Sequence, residues 1–184
     1  MIFQTSRLLI RKAVPESADI KLFYDLWTDP RVMVNVGFPS GLQITPEEIA
    51  ATIRSQTDSE FDKKLIVELR ETKALIGECK LGLPDLEGIS ETDIKLLPEY
   101  WGHGYGTELK HGLVEYLFAH TECRAVKATP NVNNIASCKM QESAGGKLIS
   151  EDIYHFPDHM RDYTCDVHHY IYLTDRQDWE KKDK

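Results

Sequence analysis

Three glycines alternate in a short stretch, Gly102, Gly104 and Gly106, where the chain is predicted to pass from a strand into a helix. Glycine tolerates positive φ and lets a ligand approach the backbone closely. Free N–H groups at the start of a helix, together with the helix dipole, bind phosphate and pyrophosphate groups. Residues 102–107 therefore predict an anion-binding loop. A glycine-rich turn without a ligand is the alternative.

The spacing of these glycines excludes two common phosphate-binding loops. The dinucleotide fingerprint is Gly-x-Gly-x-x-Gly within a strand–helix–strand repeat, and the chain has neither that spacing nor that repeat. A Walker loop needs Gly-Lys-Ser/Thr, which is also missing from the sequence. The spacing alone leaves the identity of the anion open.

Three carboxylates could supply acid–base chemistry next to this loop. Glu78, Glu91 and Asp93 lie on the two predicted strands that precede it. Because side chains alternate along a strand, Glu91 and Asp93 project from one face. A carboxylate in such a place can draw a proton from a bound group, directly or through water. The alternative is that all three are ordinary solvated strand carboxylates.

The histidines and cysteines predict no metal centre. Pro157 separates His155 from His159 and breaks the helical spacing that would point both rings one way. The four cysteines lie far apart, without a Cys-x-x-Cys pair, so neither a zinc ribbon nor a disulfide framework is expected.

Composition and charge narrow the class of protein. The chain has 184 residues, of which 41% are hydrophobic and 28% charged, as in ordinary globular domains. Its net charge of −8 argues against binding to the phosphate backbone of nucleic acids and weakly favours cationic partners. No apolar run is long enough to span a membrane, and the first residues lack the pattern of a signal peptide. A cytoplasmic protein is expected.

Hydrophobic periodicity predicts the elements that must position the loop and the carboxylates. Strands are expected at residues 7–11, 65–69, 75–81, 89–97, 124–129, 147–154 and 163–173. Helices are expected at residues 14–27, 45–57, 107–119 and 134–144. No linker or repeat interrupts this order, so we predict one α+β domain over residues 1–184, frayed at residues 181–184.

Four stretches, in order along the whole chain, resemble one known family. They are residues 5–11, 100–108, 134–145 and 172–179. The second stretch reads YWGHGYGTE and is similar to the acetyl-CoA loop of the GCN5-related N-acetyltransferases, the GNAT superfamily. Trp101 stands where most of the superfamily has Arg or Gln, as is common in the branch that acetylates the N-termini of ribosomal proteins.

The resemblance implies a fold and an activity. The fold would be a mixed, mostly antiparallel sheet of about six to seven strands flanked by about four helices. The activity would be transfer of an acetyl group from acetyl-CoA to a primary amine, on a protein N-terminus or a small molecule, by direct attack on the thioester. The protein would be a monomer or a homodimer.

The resemblance also assigns the acetyl-CoA site. Backbone N–H groups near Leu96 and Leu97 would hold the pantetheine arm and the acetyl oxygen, and the loop would cradle the pyrophosphate. The cofactor-binding residues expected in this way are Leu96, Leu97, Trp101, Gly102, His103, Gly104, Tyr105, Gly106, Thr107, Asn134 and Ser137.

The catalytic residues follow less directly. Ser137 would face the departing thiolate one helical turn after Asn134; alternatively, Asn134 caps a helix and Ser137 is a small packing residue. Glu91, Glu78 or Asp93 would take the proton of the amine, and Glu91→Gln is expected to lower turnover more than affinity for acetyl-CoA.

The sequence departs from the family pattern at two positions. Gly146 follows Gly145 where a phenylalanine is frequent, and Gln141 replaces a tyrosine that many members use as general acid. Glutamine cannot give up a proton at useful pH, so the sequence leaves open a catalytically inactive, acyl-CoA-binding module. Tyr154, Phe156 and Tyr163 are candidates for the amine side of the site or for the core.

Overall fold

The computed structural model describes residues 1–182, which build an eight-stranded sheet with helices packed on both faces. The strands are β1 (Phe3–Gln4), β2 (Leu8–Lys12), β3 (Leu65–Leu69), β4 (Leu75–Leu81), β5 (Ile89–Leu96), β6 (Ala125–Ala128), β7 (Lys147–Tyr154) and β8 (Val167–Asp175). The helices are α1 (Ser17–Thr28), α2 (Pro30–Met33), α3 (Pro46–Arg54), α4 (Tyr105–His120), α5 (Ile135–Ser143) and α6 (Arg176–Lys182).

The sheet is mixed and mostly antiparallel, as expected. The strand order is β1-β2-β3-β4-β5-β6-β8-β7. Among the strands of residues 1–182, only the central pair, β5 and β6, is parallel. It is connected through α4, because a parallel pair needs a crossover. The centre of the sheet therefore joins two antiparallel halves.

Two hydrophobic clusters attach helices to the sheet. On one face, Leu109, Leu113 and Leu117 of α4 are fully buried, at the i, i+4, i+8 spacing of one helix face. On the other face, Phe23 of α1 and Ile49 of α3 are fully buried in the second cluster. β5 lies between the two layers, so its alternate side chains face different helices.

Three elements were not predicted: the short strand β1 and the helices α2 and α6. β1 is only two residues long. The Asp29-Pro30 pair ends α1 but also starts α2, because Asp29 accepts a hydrogen bond from the N–H of Arg31 and proline fits the first helical position. α6 begins at Arg176, whose guanidinium donates to three backbone carbonyls around the end of α4.

The predicted boundaries are wrong at one strand. β8 begins at Val167 rather than at Tyr163, because the N–H groups of Tyr163 and Thr164 both turn back to the carbonyl of Met160. Of the residues expected to fray, 181 and 182 belong to α6, and 183 and 184 lie outside the described residues. Within residues 1–182, no helix combines the length and the apolarity needed to cross a membrane.

Candidate active site

A cleft opens where β5 and β6 diverge. The two strands pair only between Ile89–Glu91 and Ala125–Lys127. Beyond that point Thr92–Leu96 has no pairing with β6, and a cavity of about 650 Å³ lies between the diverging strands. Thr92 is the first residue past the last pair and therefore lies at the floor of the cleft, which it lines.

The open edge of β5 offers backbone donors to the cleft. The odd-numbered residues bond to β4: the carbonyl of Glu91 accepts from Gly82, and the N–H of Leu97 donates to the carbonyl of Ile76. Because the direction of backbone groups alternates in an antiparallel pair, the N–H groups of the even-numbered residues point to the opposite edge. The free donors of this edge are therefore on Ile94 and Leu96.

This alternation corrects the prediction for Leu97. Its N–H cannot hold a pantetheine arm, because the carbonyl of Ile76 already accepts it at 2.9 Å. Its side chain packs instead in the cluster under α1. The sequence predicted a donor at the end of β5 but could not place it on one residue or the next, because that depends on the register with β4.

The glycine loop meets α4 as predicted. Gly102 and Gly104 have φ values of +76° and +78°, a conformation that other residues adopt with strain. Gly104 is the N-cap of α4, without a side-chain cap, and the first backbone hydrogen bond of the helix runs from the N–H of Glu108 to the carbonyl of Gly104. Within residues 1–182, no protein acceptor takes the N–H groups of residues 102–107. Unsatisfied donors at the start of a helix are suited to binding an anion.

A cluster from the other end of the sequence braces this loop from outside. The carboxylate of Glu108 accepts hydrogen bonds from the hydroxyl of Thr5 at 2.5 Å and from the N–H and guanidinium of Arg7 at 2.7 and 2.6 Å. Arg7 also donates to the carbonyl of His103 and lies over the ring of Tyr105. Partial burial raises the pKa of Glu108, but the hydrogen bonds from Thr5 and Arg7 outweigh it and hold that pKa below its usual value.

Trp101 and His103 shape the loop rather than offer free side-chain donors. The indole N–H of Trp101 donates to the carbonyl of Leu96 at 2.8 Å, which fixes the loop to the end of β5. The imidazole of His103 contacts the carbonyl of Trp101 and stacks on Tyr105, on the exposed side of the loop. Gly106 lies against Met140 and Leu96, where a Cβ would be only 3.2 Å from the Met140 sulfur.

The start of α5 forms the opposite wall of this part of the cleft. The side-chain oxygen of Asn134 accepts from the N–H of Ser137 at 3.1 Å, so Asn134 caps the helix, as the alternative interpretation proposed. The cap uses only the oxygen, and the amide NH₂ stays available for a ligand. Asn134, Ser137 and Gln141 all line the cleft. Gln141 is buried, and its side-chain oxygen has no donor within residues 1–182.

We call the part of the cleft formed by the glycine loop, α5 and the even-numbered side chains of β5 the loop side. The α2 side is formed by α2, the turn after it and the odd-numbered side chains of β5. The residues that line the α2 side are Arg31, Val32, Asn35, Val36, Asp93 and Lys95.

A network of charges fixes Asp93 on the α2 side. Lys95 pairs with Asp93 and, at 3.4 Å, with Glu78, while Lys64 lies 3.8 Å from Asp93. Desolvation raises the pKa of Asp93, but the ammonium groups of Lys95 and Lys64 outweigh it and hold that pKa below its usual value. The pKa of Lys95 is raised in turn: burial lowers it, and the carboxylates of Asp93 and Glu78 more than compensate. The Asp93 side chain is still 40% exposed and is ionised at neutral pH.

The structure separates the three predicted carboxylates. Glu78 is fully buried, accepts from the indole of Trp27 at 2.9 Å and does not line the cleft, so it acts on Asp93 through the two lysines that they share, Lys95 and Lys64. Glu91 also lies outside the cleft: its carboxylate is 58% exposed and pairs with Lys127 beside the last β5–β6 pair. Of the three carboxylates expected as candidate bases, Asp93 alone lines the cleft, two residues beyond Glu91 on the same strand.

Other aromatic candidates lie away from the cleft. Tyr154 and Tyr163 are exposed, and Phe156 packs on Phe38 and against Gly37. The sequence reasoning missed Arg31 and the Arg7–Glu108 brace. The brace joins residues distant in sequence, and the placement of Arg31 in the cleft depends on how α2 packs beside β5, so the hydrophobic pattern carried no signal for either. Within residues 1–182 no group of three or more His, Cys, Asp or Glu side chains is placed to hold a metal ion.

Comparison with known proteins identifies the family. A family model described as "Acetyltransferase (GNAT) domain" matches residues 7–147. The chain belongs to the GNAT acetyltransferases. The predicted N-acetyltransferase with acetyl-CoA as co-substrate is thereby confirmed, and so is the GNAT fold.

Individual relatives of this GNAT protein are distant. The chain is 28% identical over 181 residues to a Bacillus licheniformis protein named "Uncharacterized N-acetyltransferase p20", covering 86% of this chain and 96% of that one. It resembles the structure of a GNAT-family acetyltransferase from Bacillus anthracis, with a TM-score of 0.76, 22% identity and coverage of 95% and 98%. It also resembles spermidine N-acetyltransferase from Vibrio cholerae in complex with CoA and spermine, with a TM-score of 0.72, 21% identity and coverage of 92% and 96%.

Proposed function

We propose that this GNAT protein transfers the acetyl group of acetyl-CoA to the α-amino group of a peptide or protein. One observation carries the proposal: the free N–H groups of β5 and of the glycine loop open into the same cleft as the ionised carboxylate of Asp93. The first set suits an acyl thioester with a pyrophosphate, and the second suits an amine. The two sides meet at the point where β5 and β6 separate.

On the loop side, backbone donors would hold acetyl-CoA. The N–H groups of residues 102–107 would bind the pyrophosphate at the positive end of α4. The edge N–H groups of Ile94 and Leu96 would pair with the pantetheine arm and with the acetyl oxygen, whose charge grows during attack. The free amide NH₂ of Asn134 would donate to the same arm from α5.

On the α2 side, Asp93 would bind the ammonium group of the acceptor. Because its pKa is lowered, Asp93 is a weak base. A weak base suits an acceptor that is already partly neutral near pH 7. An α-amino group, with a pKa of roughly 7.7–8, fits this condition better than a lysine side chain at roughly 10.4.

The charges around Asp93 support the same class of acceptor. Arg31 and Lys95 line this side together with Asp93, and Asp29 pairs with Arg31. The α2 side is therefore balanced in charge, without the excess of carboxylates that would attract a polycation. A chain N-terminus, with a single ammonium followed by backbone amides, matches this surface, which also offers Asn35 for hydrogen bonds. Acetylation of ribosomal-protein N-termini in the cytoplasm is one activity of this class.

A thiol-release assay with matched acceptors tests the proposal. One peptide would carry a free N-terminus and no lysine. The second peptide would have a blocked N-terminus and one internal residue replaced by lysine, with the rest of the sequence unchanged. Spermine would serve as the polycation, since it is the ligand named for the Vibrio cholerae enzyme. We expect thiol release with the first peptide, at a kcat/KM at least about 10-fold above the other two.

The alternative outcomes are distinct. Faster release with spermine would contradict the α-amino proposal while keeping an acetyltransferase. Acetyl-CoA binding without thiol release for any acceptor would favour an acyl-CoA-binding module. The peptide product should carry the acetyl group on its first residue, which fragmentation mass spectrometry would locate.

A further inference from the structure

Transfer of an acetyl group also requires a proton for the departing thiolate. Gln141, buried on the loop side, cannot supply one, since an amide does not ionise at useful pH. Tyr172 is also unsuitable: burial and its hydrogen bond to Glu142 raise its pKa to about 12. Tyr105 lines the cleft at the start of α4, where Arg7 lies over its ring. Ser137, expected from the sequence to face the thiolate, also lines the cleft, and the floor of the cleft holds a second candidate.

A lysine is buried directly behind the floor of the cleft. Lys110, on α4, is 1% exposed, and its Nζ donates to the hydroxyl oxygen of Thr92 at 2.8 Å. Thr92 lines the cleft at the first position after β5 and β6 separate. One hydroxyl therefore contacts both a buried ammonium and the space that a thioester would occupy.

No carboxylate neutralises Lys110 within residues 1–182. The acidic groups on the elements around α4 have other partners: Asp93 pairs with Lys95, Glu91 with Lys127, Glu142 accepts from Tyr172, Glu108 pairs with Arg7 and Asp178 with Lys147. Burial alone therefore acts on the ammonium and lowers the pKa of Lys110 to about 7. A group of that kind exchanges its proton near neutral pH.

The hydrogen bond also fixes the direction of the Thr92 hydroxyl. An ammonium is only a donor, so the oxygen of Thr92 must accept from Lys110 and its own hydrogen must point elsewhere. The cleft is the space that this side chain lines. While Lys110 is protonated, the Thr92 hydroxyl is thus able to donate to a group in the cleft.

We propose that Thr92 and Lys110 form a relay that protonates the thiolate of CoA as it leaves, an inference that rests on the proposed acetyl transfer. When the tetrahedral intermediate collapses, the carbon–sulfur bond breaks and its electron pair stays on sulfur. The sulfur takes the hydrogen of the Thr92 hydroxyl, while Thr92 takes a proton from Lys110, which becomes neutral. The proton released by the amine leaves through Asp93 and water, and a solvent proton restores Lys110 through Thr92 after CoA departs. Thr92 is the catalytic residue of this pair, and Lys110 acts through it.

Four variants and one control test the relay with the fastest acceptor of the peptide and spermine assay. We expect Lys110→Met and Thr92→Val each to lower kcat about 10–100-fold, while the KM for acetyl-CoA changes less than about 3-fold. The double variant should be no slower than the worse single variant, because the two residues act as a unit. Thr92→Ser, which keeps the hydroxyl, should retain most of the activity. Lys21→Met, at an exposed lysine on α1, is the control for loss of one positive charge.

The pH dependence of kcat separates the relay from a structural role. In the wild type, kcat should fall as pH rises through about 7 and Lys110 loses its proton. That alkaline decrease should disappear in Lys110→Met. An undiminished kcat in Thr92→Val, or loss of the alkaline decrease in Ser137→Ala instead, would overturn the relay. Calorimetric binding of acetyl-CoA to each variant distinguishes these results from a failed fold, and a wild type that acetylates no acceptor would overturn the proposed function itself.

Discussion

The two sides of the cleft are built from different parts of the chain. The loop side consists mainly of backbone N–H groups, presented by a glycine loop and by one strand edge. The α2 side depends on charged side chains from β5 and α2, and Lys64, the residue before β3, lies 3.8 Å from one of them, Asp93. A site made of backbone groups can be predicted from the local spacing of glycines. A site made of paired side chains depends on contacts between distant residues, which the sequence does not display.

The largest expected difference in kcat/KM is between variants of the two carboxylates of β5. Asp93→Asn should lower kcat/KM about 100-fold, because the acceptor loses the group that binds its ammonium and takes its proton. Glu91→Gln, on the same face of the same strand, should stay within about 2-fold of the wild type, because Glu91 pairs with Lys127 outside the cleft. Initial rates at saturating acetyl-CoA measure both. A larger loss of kcat/KM in Glu91→Gln than in Asp93→Asn would identify Glu91 as the base instead.

Lys110→Met should stabilise the fold. The pKa of Lys110 is about 7 in the folded protein and about 10.5 in an unfolded chain, so the unfolded chain binds more protons between these values. Burial of Lys110 therefore costs stability that grows as pH falls from about 10.5 to about 7. We expect a gain of roughly 2–3 kcal/mol at pH 7, after loss of the bond to Thr92, and little gain near pH 10. Denaturant unfolding at both pH values measures this, and an equal gain at both would contradict the assigned protonation.

Two glycines with the same backbone conformation test whether the glycine loop has a special role in binding acetyl-CoA. Gly104 and Gly88 have φ values of +78° and +73°, and a Cβ at either would meet its nearest atom at 3.5 Å. Alanine at each should therefore cost similar stability, about 1 kcal/mol. Only Gly104→Ala should weaken acetyl-CoA binding, by about 10-fold in calorimetric titration, because Gly88 lies in the β4–β5 turn. Equal losses of affinity would show that the loop has no special role.

The brace around Glu108 gives the smallest expected effect. Glu108→Gln should weaken acetyl-CoA binding about 3-fold, because the loop loses its charged anchor to Arg7 while its glycines stay unchanged. The lowered pKa of Glu108 means that the brace is intact at neutral pH and is lost as pH falls below the usual glutamate range. Affinity of the wild type should therefore decrease in acid, and the variant should lack that part of the decrease.

The fold was largely predictable, because its strands and long helices follow local periodicity. The glycine loop before α4 was also predictable from local spacing, and the cap at Asn134 was the alternative that this spacing left open. The free donor on Leu96 rather than Leu97 depends on the register of β4 and β5. The choice of Asp93 over Glu91 depends on where β6 leaves β5, which no local pattern encodes.

The account as a whole requires acetyl-CoA and the amine to occupy the two sides of one cleft together, with direct attack on the thioester. Initial-rate kinetics with both substrates varied tests this most directly. The account predicts intersecting double-reciprocal lines and no release of thiol before the amine is added. Parallel lines with a burst of thiol in the absence of amine would mean that the acetyl group passes through the protein, and would contradict it.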